Sequence, residues 1–225
     1  MNDGGAMHIK SPECRYLALA DPVLGRAIRL VGDFEYSAHP NTEEFFFSTI
    51  IGQMMSNTVA DIIESRVSEM CDGQMTADAI VGLGIDRIHS AGISMQKAEY
   101  MTLFAKKIKT EPQFLNELAR KSNSEVVEEL TSLRGIGKWT AKMYLLFVLN
   151  RTDILPYEDG AFLQSYRWLY QTQDTRPVSI KERCKVWKPY ESIAARFMYR
   201  LLDYGYTKYA SIDEVEQLFC KSKEK

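Results

Sequence analysis

A chain of 225 residues with 45% hydrophobic and 11% aromatic content can bury a substantial core, as one large domain or two smaller lobes. Its formal net charge of −2 and isoelectric point near 6.0 exclude a broadly basic binder of the histone kind, so any nucleic-acid contact has to be concentrated on a local basic face. The cysteines Cys14, Cys71, Cys184 and Cys220 lack CxxC spacing and histidine clusters, which points to reduced, mostly buried thiols rather than a zinc site or an iron–sulfur cluster.

No apolar run approaches the roughly 18 residues that span a bilayer, and the opening MNDGGAMHIK lacks the apolar core of a secretory signal. A cytoplasmic protein without membrane attachment is therefore expected. Apolar residues recur at helical spacing almost throughout, and alternating apolar–polar runs are nearly absent, so the expected fold class is all-α.

In chain order, Phe46, Ile50 and Met54 form one apolar stripe and Val59, Ile62, Ile63 and Val67 a second, with Gly52 and Ser56 between them. This predicts two helices that meet near QMMS. Shorter helices are expected over Ala77–Leu83 and Met95–Ile108, separated by the turn-like GLGIDRIHSAGIS, and another over Pro112–Ala119. Ser122 followed by Glu125 is a capping-box signature, and Val126, Val127, Leu130 and Leu133 supply the apolar face of the helix it starts. After LTSLRGIGKWTAK, residues Trp139–Leu149 read as helix again and NRTDILPY as a connector. Phe162, Leu163, Tyr166, Leu169 and Tyr170 mark the next amphipathic helix, and a final pair covers Tyr190–Tyr204 and Ile212–Lys221.

The stretch RGIGKW interrupts one helix and restarts another at once. Gly135 and Gly137 permit positive φ and close approach of the backbone to another group. A helix restarting at Lys138 leaves its first-turn N–H groups pointing outward, with the positive end of the helix dipole behind them, which suits a phosphate. Arg134 and Lys138 add full positive charges. Taken alone, GxG is only a tight turn between packed helices, so the flanking sequence has to decide.

LTSLRGIGKWTA resembles the helix-hairpin-helix motif of the DNA glycosylase superfamily. FFFSTIIGQMMSNTVADIIESRV and GISMQKAEYMTLFAKKI are similar to two further helical segments of that superfamily, and LPYEDGAFLQSYRW to its aspartate region. VWKPYESIAARFMYRLLDYG resembles the closing W-x-P-aromatic-x-S-x-A helix of the alkylpurine, or 3-methyladenine, branch, and ADPVLGRAIRLVGDF its DP-x-L helix. The resemblance runs from about Asp21 to Tyr206.

It implies an all-α, two-lobed glycosylase unit over 1–225, with a central lobe near 40–150 carrying the hairpin at 133–138, and a second lobe from about 10–39 plus 151–225. The N-terminal β domain of larger relatives is not expected. The implied activity is excision of alkylated purines from duplex DNA by base flipping and hydrolysis of the N-glycosidic bond, in base excision repair. Relatives that also cut the strand place a lysine directly before the Thr-Ala of the hairpin; Trp139 stands there, so a monofunctional enzyme is expected. The implied partner is double-stranded DNA with damaged bases, met by a monomer in the cytoplasm, at the nucleoid of a bacterium or in the nucleus of a eukaryote. No cofactor or protein-held metal is expected, although the resemblance implies Na⁺ or K⁺ at the hairpin carbonyls when DNA is bound.

By the same resemblance Asp159, rather than Asp153 or Glu158, is the catalytic carboxylate, and its place at a helix start also suits an N-cap. Met54 is the expected wedge that refills the stack, with Met55 or Gln53 as alternatives. Trp139, Tyr199, Met143 and Gln53 are the expected base pocket, where aromatic rings attract an electron-deficient base. Arg134, Gly135, Ile136, Gly137, Lys138 and Thr140 are the expected DNA-backbone contacts. Trp187, Tyr190 and Phe197 read as packing of the last helices, and Lys97, Arg167 and Lys188 as structural or solvated. Two other readings stay open: an oxidised- or deaminated-purine glycosylase, and a non-catalytic damage or junction binder on the same scaffold.

Overall fold

The computed structural model describes residues 5–36, 39 and 42–223. In chain order these form β1 (Gly5–Met7), α1 (Pro12–Ala20), α2 (Pro22–Val31), β2 (Phe34–Tyr36), α3 (Thr42–Gly52), α4 (Asn57–Met70), α5 (Ala77–Ser90), α6 (Met95–Thr110), α7 (Phe114–Leu118), α8 (Asn123–Thr131), α9 (Lys138–Met143), α10 (Gly160–Tyr170), α11 (Pro177–Arg183), α12 (Glu191–Asp203) and α13 (Ile212–Lys223). One unit spans His39–Leu149; the other combines the described residues before it with those from Asn150 onward.

The first unit is built on α3, whose run of phenylalanines is apolar around most of its circumference and therefore has to be buried. Phe45, Phe46, Phe47, Ile50 and Ile51 are all buried, and the Phe46 ring lies 4.6 Å from that of Phe104 on α6 and 4.9 Å from that of Tyr144. Two expectations need correction here. GLGIDRIHSAGIS is mostly helix, because α5 breaks only at Gly84, where φ is 76°, and then continues to Ser90. The expected helix over Trp139–Leu149 is split, with α9 passing into a π-helical turn over Tyr144–Val148 whose Leu149 N–H reaches the carbonyl of Tyr144 at 3.0 Å. At α8 the capping box forms: the Ser122 N–H donates to Glu125 Oε2 at 2.8 Å, and the Glu125 N–H to Ser122 Oγ at 3.4 Å.

The second unit is organised by Asp21, a buried carboxylate that caps α2. Its Oδ1 accepts the N–H groups of Val23 and Leu24 at 3.1 Å each, and its Oδ2 accepts the Tyr170 hydroxyl at 2.5 Å and the Trp187 indole N–H at 3.0 Å. One aspartate thus ties together α2, α10 and the short 3-10 turn Cys184–Trp187. Burial, and then the charge of Asp21, pushes the Tyr170 hydroxyl well above its usual range. Phe197 of α12 packs edge-on against Phe34 at 5.2 Å, and Arg26 of α2 holds α13 through Glu216 and Asp213.

β1 and β2 pair antiparallel, Gly5 opposite Tyr36 and Met7 opposite Phe34. With three residues each, these strands are too short to show an alternating pattern, so the all-α expectation misses them. Cys14, Cys71 and Cys184 are buried free thiols, whereas Cys220 is exposed.

Candidate nucleic-acid interface and active site

In the first unit the hairpin follows from Gly135. It adopts φ +89°, and a Cβ there would stand 2.4 Å from the Tyr100 ring, so both conformation and space demand glycine. Gly137 is different. It is extended, with φ −96° and ψ 176°, so it does not use the positive φ that glycine permits; any residue could adopt its backbone, and a Cβ there would meet nothing within 4 Å. What Gly137 leaves is open space in front of α9, for which it is the N-cap with no side-chain cap bond. The first-turn N–H groups of α9 therefore face outward, flanked by exposed Arg134 and Lys138.

Two expected backbone-contact residues lie on the inner side of this turn. Ile136 is buried and its N–H is spent on the Leu133 carbonyl at 3.2 Å, so it offers no outward donor. Thr140 is 1% exposed, so its hydroxyl cannot meet a phosphate and only its N–H belongs to the first turn. Trp139 is half-buried, whereas Met143 is buried in the unit.

The QMMS loop is joined to the hairpin. Gln53 Nε2 donates to the Gly135 carbonyl at 2.8 Å, so this amide nitrogen is engaged with protein backbone rather than free to read a base. Lys97 Nζ donates to the carbonyls of Ile51 and Gln53 at 2.8 and 2.5 Å, closing the C-terminal end of α3, and burial lowers its pKa. Beyond this clamp Met54 is fully exposed and sits at φ 57°, an uncommon conformation for a residue with a side chain.

In the second unit Asp159 caps α10, its Oδ1 accepting the Phe162 N–H at 2.8 Å. Pro156 precedes a turn that the Asp159 N–H closes onto the Pro156 carbonyl at 2.9 Å. The carboxylate is buried, whereas Glu158 is exposed. Tyr199 of α12 donates its hydroxyl to Asp159, and burial together with that charge raises the Tyr199 pKa well above the phenol range. By sequence alone Tyr199 offers only a ring to stack a base. Its hydroxyl is the feature missed, since nothing in sequence shows that residues 159 and 199 meet. Trp187 and Phe197 are wholly buried, and Tyr190 packs edge-on against Tyr16 at 5.5 Å. No group of three or more metal-ligating side chains occurs among the described residues, and none of their helices is long and apolar enough to cross a membrane.

No family model matches the chain. It is 26% identical over 189 residues to DNA-3-methyladenine glycosylase 1 of Schizosaccharomyces pombe, covering 80% of this chain and 83% of that protein. Among solved structures it is similar to a DNA-3-methyladenine glycosidase from Bacillus halodurans, with a TM-score of 0.81 and 26% identity over 95% of this chain and 99% of that one. It shares the fold of the Schizosaccharomyces pombe 3-methyladenine DNA glycosylase Mag1 in complex with abasic DNA, with a TM-score of 0.73 and 24% identity over 84% and 96% of the two chains.

Proposed function

We infer that this chain, which groups by sequence and fold with the 3-methyladenine branch of the helix-hairpin-helix DNA glycosylases, is a monofunctional glycosylase that removes alkylated purines from duplex DNA. The observation that carries the reading is the Asp159 carboxylate, buried and held by the Phe162 N–H and the Tyr199 hydroxyl. Hydrolysis of an N-glycosidic bond builds oxocarbenium-like positive charge on the sugar, and a fixed anion beside it lowers the barrier. Alkylation at N3 or N7 makes the purine cationic and a ready leaving group, so no strong general acid is required. Trp139 leaves the hairpin without the lysine that would form a Schiff base, which favours hydrolysis over strand cleavage.

Binding rests on the other unit. The first-turn amides of α9, with Arg134 and Lys138, take the phosphate backbone, and Met54 fills the gap left by the extruded base, which costs roughly a few kcal/mol to flip. The hairpin carbonyls would hold a sodium or potassium ion only once DNA closes the site, and the protein acts as a monomer.

The test is base release from duplexes carrying 7-methylguanine or 3-methyladenine, with 8-oxoguanine and hypoxanthine duplexes alongside. Free alkylated base with uncut abasic product, and no borohydride-trapped adduct, is the expected result. Release of 8-oxoguanine alone would favour the oxidised-purine reading, and lesion binding without any release the non-catalytic one.

A further inference from the structure

Asp159 is held by more than its cap. The connector that delivers it begins at Asn150, in the left-handed region with φ 53°, and is gripped at intervals by one face of α12. Ser192 is buried, and its Oγ accepts the Ile154 N–H at 2.9 Å and donates to the Ile154 carbonyl at 3.3 Å. Its own N–H donates to the Thr152 carbonyl at 2.8 Å. Both peptide planes of Ile154 are thereby fixed by one side chain. A turn further along α12, Arg196 is buried, donates to Asn150 Oδ1 at 2.9 Å and lies over the Tyr36 ring at 4.0 Å. Two turns along is Tyr199, on Asp159 itself. Positions 192, 196 and 199 are i, i+4 and i+7, a stripe about 10 Å long on one face of the helix. The same helix also holds the element after Asp159, since Ser165 of α10 donates to the Met198 carbonyl at 2.7 Å.

We propose that Ser192 is a positioning residue for Asp159: by clamping Ile154 on α12 it sets the register of the connector, and so the place of the carboxylate at the sugar. This rests on the reading of Asp159 as the catalytic anion. Ser192 is 2% exposed and acts through the four residues between Ile154 and Asp159, which have little freedom of their own because Pro156 fixes φ and the Pro156–Asp159 turn is closed. Displacing a reacting group by about 1 Å can cost on the order of 100-fold in rate.

The experiment compares single-turnover release of 7-methylguanine, affinity for the same lesion duplex, and thermal melting for wild type, Ser192→Ala, Ser192→Thr, Asp159→Asn and Ser192→Ala/Asp159→Asn. Ser192→Ala should lower the release rate about 10- to 100-fold with affinity within about 3-fold, and Ser192→Thr, which keeps the hydroxyl, should recover most of the rate. In the Asp159→Asn background the serine change should cost nothing more, because its effect runs through the carboxylate. An unchanged rate in Ser192→Ala, or an equal further loss in the double variant, overturns the proposal while leaving Asp159 in its role. Full release by Asp159→Asn overturns the underlying reading instead, and this proposal with it. Should Ser192→Ala lose cooperative melting, Asn150→Gly tests the same device, since glycine keeps the positive φ but removes the acceptor for Arg196; a slower release at unchanged affinity supports the clamp, and an unchanged rate refutes it.

Discussion

The side-chain amide of Gln53 donates to the main-chain carbonyl of Gly135 at 2.8 Å, joining the loop that carries Met54 to the hairpin that opens α9. Two features expected to meet DNA are thereby held in one register. Replacing Gln53 with methionine, of similar volume, leaves that carbonyl unpaired at a cost of about 1 kcal/mol. For a chain of this size the melting temperature should fall by about 2–4 °C. Affinity should weaken for undamaged and lesion duplexes alike, measured by fluorescence anisotropy. A loss confined to the lesion duplex would instead put Gln53 in the base pocket.

The two hairpin glycines should respond oppositely to alanine. At Gly135 the methyl meets the Tyr100 ring at 2.4 Å and the backbone is left-handed at φ +89°, so Gly135→Ala should cost at least the 1–2 kcal/mol of the conformation alone and depress the melting temperature. Gly137 is extended and faces open space, so Gly137→Ala should melt like wild type. Its methyl would stand where a phosphate approaches the first-turn amides, so duplex affinity should still fall several-fold. A Gly137→Ala protein that binds DNA normally would remove the hairpin from the interface.

Asp159→Asn preserves the side-chain acceptor that caps α10 while removing the anion. The variant should fold and bind lesion DNA as well as wild type or better, with base release reduced by orders of magnitude. Glu158→Gln should have little effect. Tyr199→Phe separates ring from hydroxyl: if Tyr199 serves chiefly to hold the carboxylate, release slows about tenfold at constant affinity, the loss of one bond to a charged group. If the ring alone matters, Tyr199→Phe behaves as wild type.

Much of this arrangement is local and therefore readable from sequence. Ser122 and Glu125 announce a helix start by themselves, and Asp159 after Pro156 and before a periodic apolar segment announces another. Local pattern fails where the deciding partner is remote. Ile136 and Thr140 sit in a basic, glycine-rich turn, yet both are buried, because a hairpin has an inner side that spacing alone does not reveal. The Tyr199 hydroxyl, the Ser192 clamp and the Gln53 bond each join residues at least 38 positions apart. Gly84 illustrates the converse: a glycine that looks like the centre of a turn only breaks α5, and the segment after it returns to helix.

Glu191 makes a prediction about stability rather than activity. It is the first residue of α12 and is 4% exposed, and its Oε2 has no hydrogen-bond partner. The helix start, its own N–H and Lys188 favour the anion, yet burial outweighs them, and Asp153 adds repulsion, so the carboxyl is raised above its ordinary 4.5. The folded protein therefore holds a proton that the unfolded chain releases. The stabilisation this gives is complete below the unfolded value, is lost as pH rises through the folded one, and stays lost above it. Glu191→Gln replaces the carboxyl with a neutral amide of the same shape and should abolish the dependence. Urea midpoints for both proteins should be alike near pH 4 and diverge as pH rises to 7, with Glu191→Gln the more stable at neutral pH. Parallel curves across that range would mean that water or a counter-charge reaches Glu191 and that its burial carries no electrostatic cost.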